Sequence, residues 1–225
     1  MELSKIIFLS HPLTSDTPTY GNRDQLKISA NSAINTGDTA NSSRWVFTNN
    51  HIGTHIDVPY HFDQSGRRIL DIEPEEWIFK YVALVDIPCR SARLIEPRHF
   101  ANINIESNVE LLLIRTGFEK FRGEKRFWNA NPGFSPSLPN YFRKTFPALR
   151  CIGFDFISIT SFKHRVIGKQ CHEAFLCPST GEDPILAIED MSLANAKKSI
   201  DWVLVSPLRI EEGNGSPGTV FSSIK

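Results

Sequence analysis

Short runs of hydrophobic residues dominate the pattern along this chain. Their length and their β-branched and aromatic content favour strands over helices at residues 6–9, 81–87, 109–114, 151–159, 185–188 and 202–205. Helical patterns are fewer. Residues 138–149 follow Ser135-Pro136-Ser137, where a serine can cap a helix and a proline can occupy its first turn. A second, short helix is predicted at residues 193–198, so strands should outnumber helices.

The predicted helix at 138–149 leads directly into the predicted buried strand at 151–159. Such a step from helix to buried strand is typical of mixed α/β folds. No internal repeat, low-complexity tract or long linker interrupts the chain. We therefore expect an α/β fold in which residues 1–225 form one domain.

Charge gives no indication of a nucleic-acid partner. Lys plus Arg and Asp plus Glu both total 25, so the formal net charge is zero, whereas nucleic-acid binders usually carry a basic surplus or stripe. The densest basic stretch, residues 120–126, is broken by Gly123 and Glu124 and interleaved with aromatic residues. It is interpreted as a solvated loop, and we expect no nucleic acid to bind.

The cysteines and the apolar runs indicate a cytoplasmic protein. Cys89, Cys151, Cys171 and Cys177 are too few and too irregularly spaced for a disulfide scaffold, and no pair has the spacing of a structural zinc site. A metal cluster of Cys171, His172 and Cys177 is a weaker interpretation than reduced thiols. The N-terminal run lacks a basic region and a cleavage site, and no apolar stretch approaches a membrane span. No membrane association is expected.

Three histidines and an aspartate fall within residues 51–61: His51, His55, Asp57 and His61. This density predicts a metal or catalytic site. In an extended chain His55 and Asp57 point to the same face, about 7 Å apart, but His51 would lie about 13 Å from His55. The backbone must therefore bend, and Gly53 is where it can do so, its missing side chain also leaving room for an ion. Two imidazoles and a carboxylate suit Zn²⁺, or Mn²⁺ if more oxygen ligands join.

Asp57 has two oxygens and can bridge two ions, in which case a second ion needs ligands from elsewhere in the chain. The C-terminal half offers His172 as a further imidazole. The chemistry alone leaves the accompanying carboxylate open among Glu173, Glu182, Asp183, Glu189 and Asp190.

Aromatic residues are dense in residues 104–147. Most of them are expected in the core, although part of the set could line a pocket for an aryl substrate. The segment 117–136 is long for a plain connection, and long loops are often functional. The residues concerned are Phe118, Phe121, Phe127, Trp128, Phe134, Tyr141, Phe142 and Phe146.

The pattern His51-x-Gly53-Thr54-His55-x-Asp57-x-Pro59-x-His61-Phe62 resembles the signature of the cyclase family, metal-dependent hydrolases that include bacterial kynurenine formamidases and isatin hydrolases. Weaker blocks that resemble the family follow the expected order along nearly the whole chain. They are Leu9–Leu13 with Thr17–Gly21, Leu113–Gly117, Gly153–Asp155 with Ser158, and Ser206–Ile210 with Gly215–Pro217. The resemblance implies a swivelling β/β/α domain that assembles as a homodimer or homotetramer.

The resemblance also implies a ligand set for two divalent ions, with zinc preferred to manganese. The first ion is held by the positions matching His51, His55 and Asp57. The second is held by the Asp57 position together with those matching His172 and Glu189.

The implied activity is hydrolysis of an amide or formamide by metal-activated water. The position matching His61 acts as the catalytic acid/base, and Tyr20 and Phe62 are expected to contact an aryl substrate. N-formylkynurenine is the leading candidate and a cyclic aryl amide or lactam the second. A non-catalytic metal-binding protein of the same fold, and a structural module whose histidines merely pack, are the competing hypotheses.

Two segments depart from the family pattern. The loop that usually contains a second proline, a glycine and an aspartate is here Pro18-Thr19-Tyr20-Gly21-Asn22. The spacing from His172 to Glu189 is lengthened by an insert at residues 177–184. Both departures are expected on the substrate side of the site.

Overall fold

The computed structural model describes residues 5–178 and 181–224, so part of the predicted insert at 177–184 lies outside the described residues. Within these ranges thirteen strands and three α-helices confirm a mixed α/β fold with more strands than helices. The helices are α1 Lys125–Asn129, α2 Leu138–Thr145 and α3 Arg165–Leu176. The strands are β1 Lys5–Phe8, β2 Lys27–Ser32, β3 Ser42–Val46, β4 His55–Asp57, β5 Ile78–Phe79, β6 Val82–Asp86, β7 Leu94–Ile95, β8 Leu111–Arg115, β9 Gly133–Phe134, β10 Cys151–Phe154, β11 Leu186–Glu189, β12 Ile200–Pro207 and β13 Gly215–Ile224.

Nine of these strands form one continuous sheet in the order β5-β12-β13-β4-β11-β10-β8-β6, with β1 also paired to β13. Strands β6, β8, β10 and β11 pair parallel with one another, whereas β1, β5, β12 and β13 pair antiparallel. The short strand β4 joins the two parts, because it runs antiparallel to both β11 and β13. Strands β2 with β3 and β7 with β9 form two separate pairs.

The parallel part of the sheet is buried on both faces, as its nearly continuous apolar sequence requires. Leu111 belongs to a buried cluster with Val203 of β12. Its neighbour Leu112, which points to the opposite face, belongs to a second cluster with Phe142 of α2 and Phe175 of α3. The antiparallel strands, the parallel strands and the helices therefore form successive layers, which agrees with the expected β/β/α arrangement.

All six predicted strands are present, but some predicted boundaries are wrong. The strand predicted at 151–159 ends at Phe154, and the helix predicted at 138–149 ends at Thr145. Pro147 explains the second ending, because a residue before proline is disfavoured in helical conformation, and Phe146 is non-helical.

The short helix predicted at 193–198 is wrong, because only a turn forms there. The Arg115 guanidinium donates hydrogen bonds to the carbonyl oxygens of Leu193 and Ala196, and the Glu119 carboxylate accepts from the backbone of Leu193 and Ala194. These side-chain partners replace the hydrogen bonds that a helix would supply.

The basic stretch at 120–126 is largely exposed, as predicted, but it lies in short helical turns and not in a plain loop. A 3-10 helix, Phe118–Phe121, precedes α1. The Arg122 guanidinium forms an ion pair of 2.8 Å with the buried Asp190, and the Arg126 guanidinium lies 4.5 Å from the ring centroid of Phe121. Part of this charge therefore stabilises the fold.

The expectation that most aromatic residues of 104–147 belong to the core is confirmed. Five of the eight are buried, and the remaining three pack against the same core while partly exposed. The buried residues are Phe118, Phe127, Phe134, Phe142 and Phe146.

All four cysteines are free thiols, as predicted. The Cys171 thiol is buried and lies 3.5 Å from the carbonyl oxygen of Ser135, and the Cys177 thiol lies 3.5 Å from that of Pro59. Neither thiol belongs to a group of three or more potential metal ligands among the described residues. In the described part of the chain, no helix has both the length and the apolar character needed to cross a bilayer.

Candidate active site

The pairing of β4 with β11 places two carboxylates and an imidazole side by side. His55 and Asp57 are two residues apart on one strand, so their side chains share a face of the sheet. The register pairs His55 with Glu189 of β11. As a result, the Nε2 atom of His55 lies 3.5 Å from Oδ1 of Asp57 and 3.4 Å from Oε2 of Glu189.

A backbone bend brings His51 to the same group, as predicted. Gly53 has a φ of +59°, which glycine adopts without the steric cost that other residues incur. Nδ1 of His51 then lies 2.8 Å from Oδ1 of Asp57. A Cβ atom on Gly53 would lie 2.6 Å from the Leu13 side chain, so the absent side chain makes room for Leu13 and not, as expected, for an ion.

Helix α3, which was not predicted from the sequence, supplies His172. Nε2 of His172 lies 3.6 Å from Oδ2 of Asp57 and 3.5 Å from Oε1 of Glu189. The other ring nitrogen, Nδ1, lies 3.2 Å from the carbonyl oxygen of Gly168 and 3.0 Å from the Thr160 hydroxyl. These contacts orient the imidazole so that Nε2 faces both carboxylates.

The donor set fits divalent ions. Nδ1 of His55 donates to the carbonyl oxygen of Gly53 at 2.8 Å, so Nε2, which is buried and makes no hydrogen bond to any described residue, is the ring atom that faces the carboxylates. The separations of 3.4–3.6 Å between the histidine nitrogens and the carboxylate oxygens are long for hydrogen bonds. They match the spacing of about 3.3 Å expected between two ligands of a tetrahedral ion with bonds of about 2 Å.

Among the carboxylates left open by the sequence, Glu189 is the one in this cluster. Asp190, the next residue, pairs with Arg122. The carboxylates of Glu173 and Glu182 lie 3.6 Å from Lys169 and Arg143, respectively. The two oxygens of Glu189 face different histidines, since Oε2 faces His55 and Oε1 faces His172. Glu189 therefore lies between these two rings, as Asp57 does.

The carboxylates control protonation of the buried imidazoles. Burial by itself lowers the pKa of His55 and of His172, but the neighbouring Glu189 and Asp57 outweigh it and raise both pKa values to about 9. Burial likewise acts to raise the pKa of Asp57, yet the adjacent histidines hold it well below its usual value. Without metal, the centre is therefore a set of ion pairs at neutral pH.

His61 lies at the end of the 3-10 helix Pro59–His61, beyond the ligand run. Its ring centroid is 4.1 Å from that of His51 and 5.9 Å from that of His172. Burial lowers the pKa of His61 to about 4, with Asp57 opposing and the neighbouring histidines reinforcing the effect. His61 is therefore neutral at pH 7, beside the candidate ligands.

A cavity of about 330 Å³ opens onto this cluster. Tyr20 and Phe62, expected to contact substrate, line it, and the Phe62 ring stacks on His172 with centroids 5.0 Å apart. None of the aromatic residues at 118–146 lines it, so their suggested role as a pocket wall is wrong. Five further residues, which were not predicted from the sequence, complete the wall: Asn49, Ile157, Thr160, Arg165 and Lys169.

Comparison with known proteins decides the family. The model of the Cyclase family matches residues 7–161. The chain belongs to the cyclase family. The kynurenine formamidase of Bacillus cytotoxicus is 24% identical over 220 residues, which cover 96% of this chain and 96% of that relative. That of Geobacillus thermodenitrificans is 26% identical over 206 residues, covering 90% and 86%.

Solved structures show that this cyclase-family chain has the fold of known members. Isatin hydrolase A from Ralstonia solanacearum superposes with a TM-score of 0.80 at 18% identity, over 98% of this chain and 92% of that one. A protein described as a potential metal-dependent hydrolase with cyclase activity superposes with a TM-score of 0.75 at 19% identity, over 99% of both chains. These relatives and structures are named as hydrolases, which indicates that this cyclase-family protein is a hydrolase too.

Gly215 also belongs to the site. From the sequence it was identified only as part of a segment, Gly215–Pro217, that resembles the family. The register pairs it with Asp57, on the side of β4 opposite β11. A Cβ atom there would lie 2.6 Å from Cε1 of His51 and 3.0 Å from Oδ1 of Asp57. The candidate ligands can therefore occupy their positions only because this residue is glycine.

We expect Gly215→Ala to lower metal content strongly, because the added methyl group displaces His51 from Asp57. Elemental analysis after incubation with Zn²⁺ measures the loss. Gly123→Ala is the matched control, because a Cβ atom at Gly123 has no heavy atom within 4 Å, and it should retain normal metal content. Equal metal content in the two variants would contradict the packing argument.

Proposed function

We propose that this protein is a metal-dependent amide hydrolase that acts on an aryl formamide. The observation that carries the proposal is the buried cluster at the inner end of the cavity. There Nε2 of His55 has no hydrogen-bond partner and faces the carboxylates of Asp57 and Glu189. The separations from these carboxylates are too long for good hydrogen bonds but suit ligands around one ion, so a divalent ion would satisfy the nitrogen and both carboxylates together.

The proposed ligands divide into two sets that share Asp57. His51, His55 and Asp57 would hold one divalent ion, and Asp57, His172 and Glu189 a second. Imidazole and carboxylate ligands suit zinc first and manganese second. Bound ions would supply Lewis-acid polarisation of a carbonyl group and activation of water at neutral pH.

His61 is the proposed acid/base. Its low pKa keeps it neutral at pH 7, so that it can accept a proton from the attacking water and pass it to the leaving amine. Burial at the cavity wall limits exchange of that proton with bulk solvent. Tyr20 and Phe62 would hold the aromatic ring of the substrate.

N-formylkynurenine is the proposed substrate, because relatives similar over 96% of this chain are named kynurenine formamidases. A cyclic aryl amide such as isatin is the second candidate, supported by the similarity to isatin hydrolases. Formate release from N-formylkynurenine and ring opening of isatin, assayed side by side with Zn²⁺- and Mn²⁺-loaded protein, test the proposal. No turnover of either substrate by metal-loaded protein would contradict it.

We further propose a cytoplasmic homodimer or homotetramer. The ribbon of β2 and β3 supports assembly, because it exposes Ile28 and Trp45. A two-stranded ribbon is marginally stable by itself, and exposed apolar clusters commonly mark interfaces. Light scattering of the purified protein measures the assembly state.

We expect metal binding to release about two protons per chain between pH 7 and 8. The pKa values of His55 and His172 are raised to about 9 without metal, so both rings are protonated in this range and must lose their protons to bind an ion. Titration calorimetry in buffers of different ionisation enthalpy counts these protons. The count should fall above pH 9, and no release at pH 7 would contradict the assigned ligands.

A further inference from the structure

One face of helix α3 extends from the metal cluster to the outer wall of the cavity. Arg165, Lys169 and His172 line the cavity, and their spacing of four and then three residues places them on one face of the helix. Arg165 precedes His172 by seven residues, which corresponds to roughly 10 Å along the axis. An aromatic ring with a short chain spans a distance of this order.

Arg165 is held at the wall with its charge intact. Its guanidinium carbon lies 4.0 Å from the ring centroid of Phe162, a cation–π contact that fixes the side chain without neutralising it. Lys169 adds a second positive charge, and its pair with Glu173 at 3.6 Å is largely exposed and therefore weak.

Tyr20 supplies an unsatisfied donor beside Arg165. Its hydroxyl oxygen is buried beside the Arg165 guanidinium, and its O–H has no acceptor among the described residues. Its ring lies 5.3 Å from that of Phe162, centroid to centroid, so Tyr20 and Arg165 pack on the same phenylalanine. Arg165 and the Tyr20 hydroxyl therefore lie together on one part of the cavity wall, and Lys169 adds a second cation one helical turn away.

We propose that Arg165, Lys169 and Tyr20 form a subsite for a carboxylate that the substrate carries one ring and a short chain away from the scissile amide. This inference rests on the proposed function and narrows it to aryl formamides that carry a carboxylate. Arginine is the side chain best suited to the planar carboxylate, and Tyr20 can donate one further hydrogen bond. A neutral bicyclic amide would leave the subsite empty.

The test compares two substrates that differ only in charge. One is an N-formyl aryl ketone whose side chain ends in a carboxylate, and the other is its primary amide. Wild type should prefer the carboxylate, and Arg165→Gln should lower that preference roughly tenfold, mainly through KM, because a partly exposed charged hydrogen bond contributes about this much. Arg126→Gln is the matched control, because Arg126 also stacks on a phenylalanine, Phe121, but lies outside the cavity.

Binding separates failure of the subsite from failure of the proposed function. The same pair of ketones without the formamide group is titrated into metal-loaded wild type and Arg165→Gln. The variant should bind the carboxylate roughly tenfold more weakly and the amide equally well, whether or not the enzyme turns over any formamide. Unchanged carboxylate binding and an unchanged substrate preference in Arg165→Gln would overturn the subsite, while formamide turnover would still stand.

Discussion

Asp57→Asn is expected to remove bound metal and to lower turnover by roughly 10³-fold or more, because Lewis-acid stabilisation supplies several kcal/mol. Oδ1 of Asp57 lies 2.8 Å from His51, and Oδ2 lies 3.6 Å from His172. One side chain therefore contacts both halves of the ligand set. An amide keeps the shape of the side chain but loses the negative charge and one acceptor oxygen, so both ions should be held weakly. Metal titration and formate release measure the effect.

Comparison with His172→Ala isolates the bridging role. That variant should mainly lose the second ion, because His172 faces only one oxygen of Asp57. Asp16→Asn, at an exposed aspartate, is the control and should retain both ions. Equal metal loss in Asp57→Asn and His172→Ala would show that Asp57 does not bridge.

His61→Ala is expected to keep its metal and to lose turnover by roughly 10²–10⁴-fold, the usual effect of removing a positioned acid/base. The reason is its position at the end of the ligand run, with its ring at the cavity wall and neutral at pH 7. Turnover at saturating metal, together with metal content, separates this role from ligation.

The alternative role is ligation, since His61, His51 and Asp57 also offer three atoms within 4.8 Å of one another. Loss of metal together with activity in His61→Ala would make His61 a ligand. Retention of full activity would mean that another group transfers the proton. His99→Ala, outside the cavity, should affect neither property.

The sequence was sufficient to locate the first half of the site. His55 and Asp57 alternate on a strand, and only Gly53 could bend the chain cheaply enough to return His51 to them. These are local constraints, which spacing and backbone chemistry express directly.

The second half depends on pairing between distant segments, which the sequence expresses weakly. Glu189 became distinguishable from its neighbour Asp190 only through the register of β11 with β4. Gly215 acquires its role in the same way, from pairing on the other side of β4. Its strand β13 was missed because the glycines and the proline in its first four residues disfavour a strand unless neighbours impose one.

Helix α3 did carry a local signal that was missed. Its buried positions recur at helical spacing, at Gly168, Cys171, His172, Phe175 and Leu176. Gly168 weakens the helical preference, and the residue before the helix supplies no side-chain cap. The glycine is required because a Cβ atom there would lie 2.4 Å from Thr160, which contacts the ring of His172.

The most direct test of the metal centre is elemental analysis of the protein after saturation with Zn²⁺ or Mn²⁺ and removal of excess ion. The two ligand sets that share Asp57 predict close to two ions per chain. Absence of any bound transition metal after incubation with either ion would contradict the proposed metal centre and the hydrolytic function that depends on it.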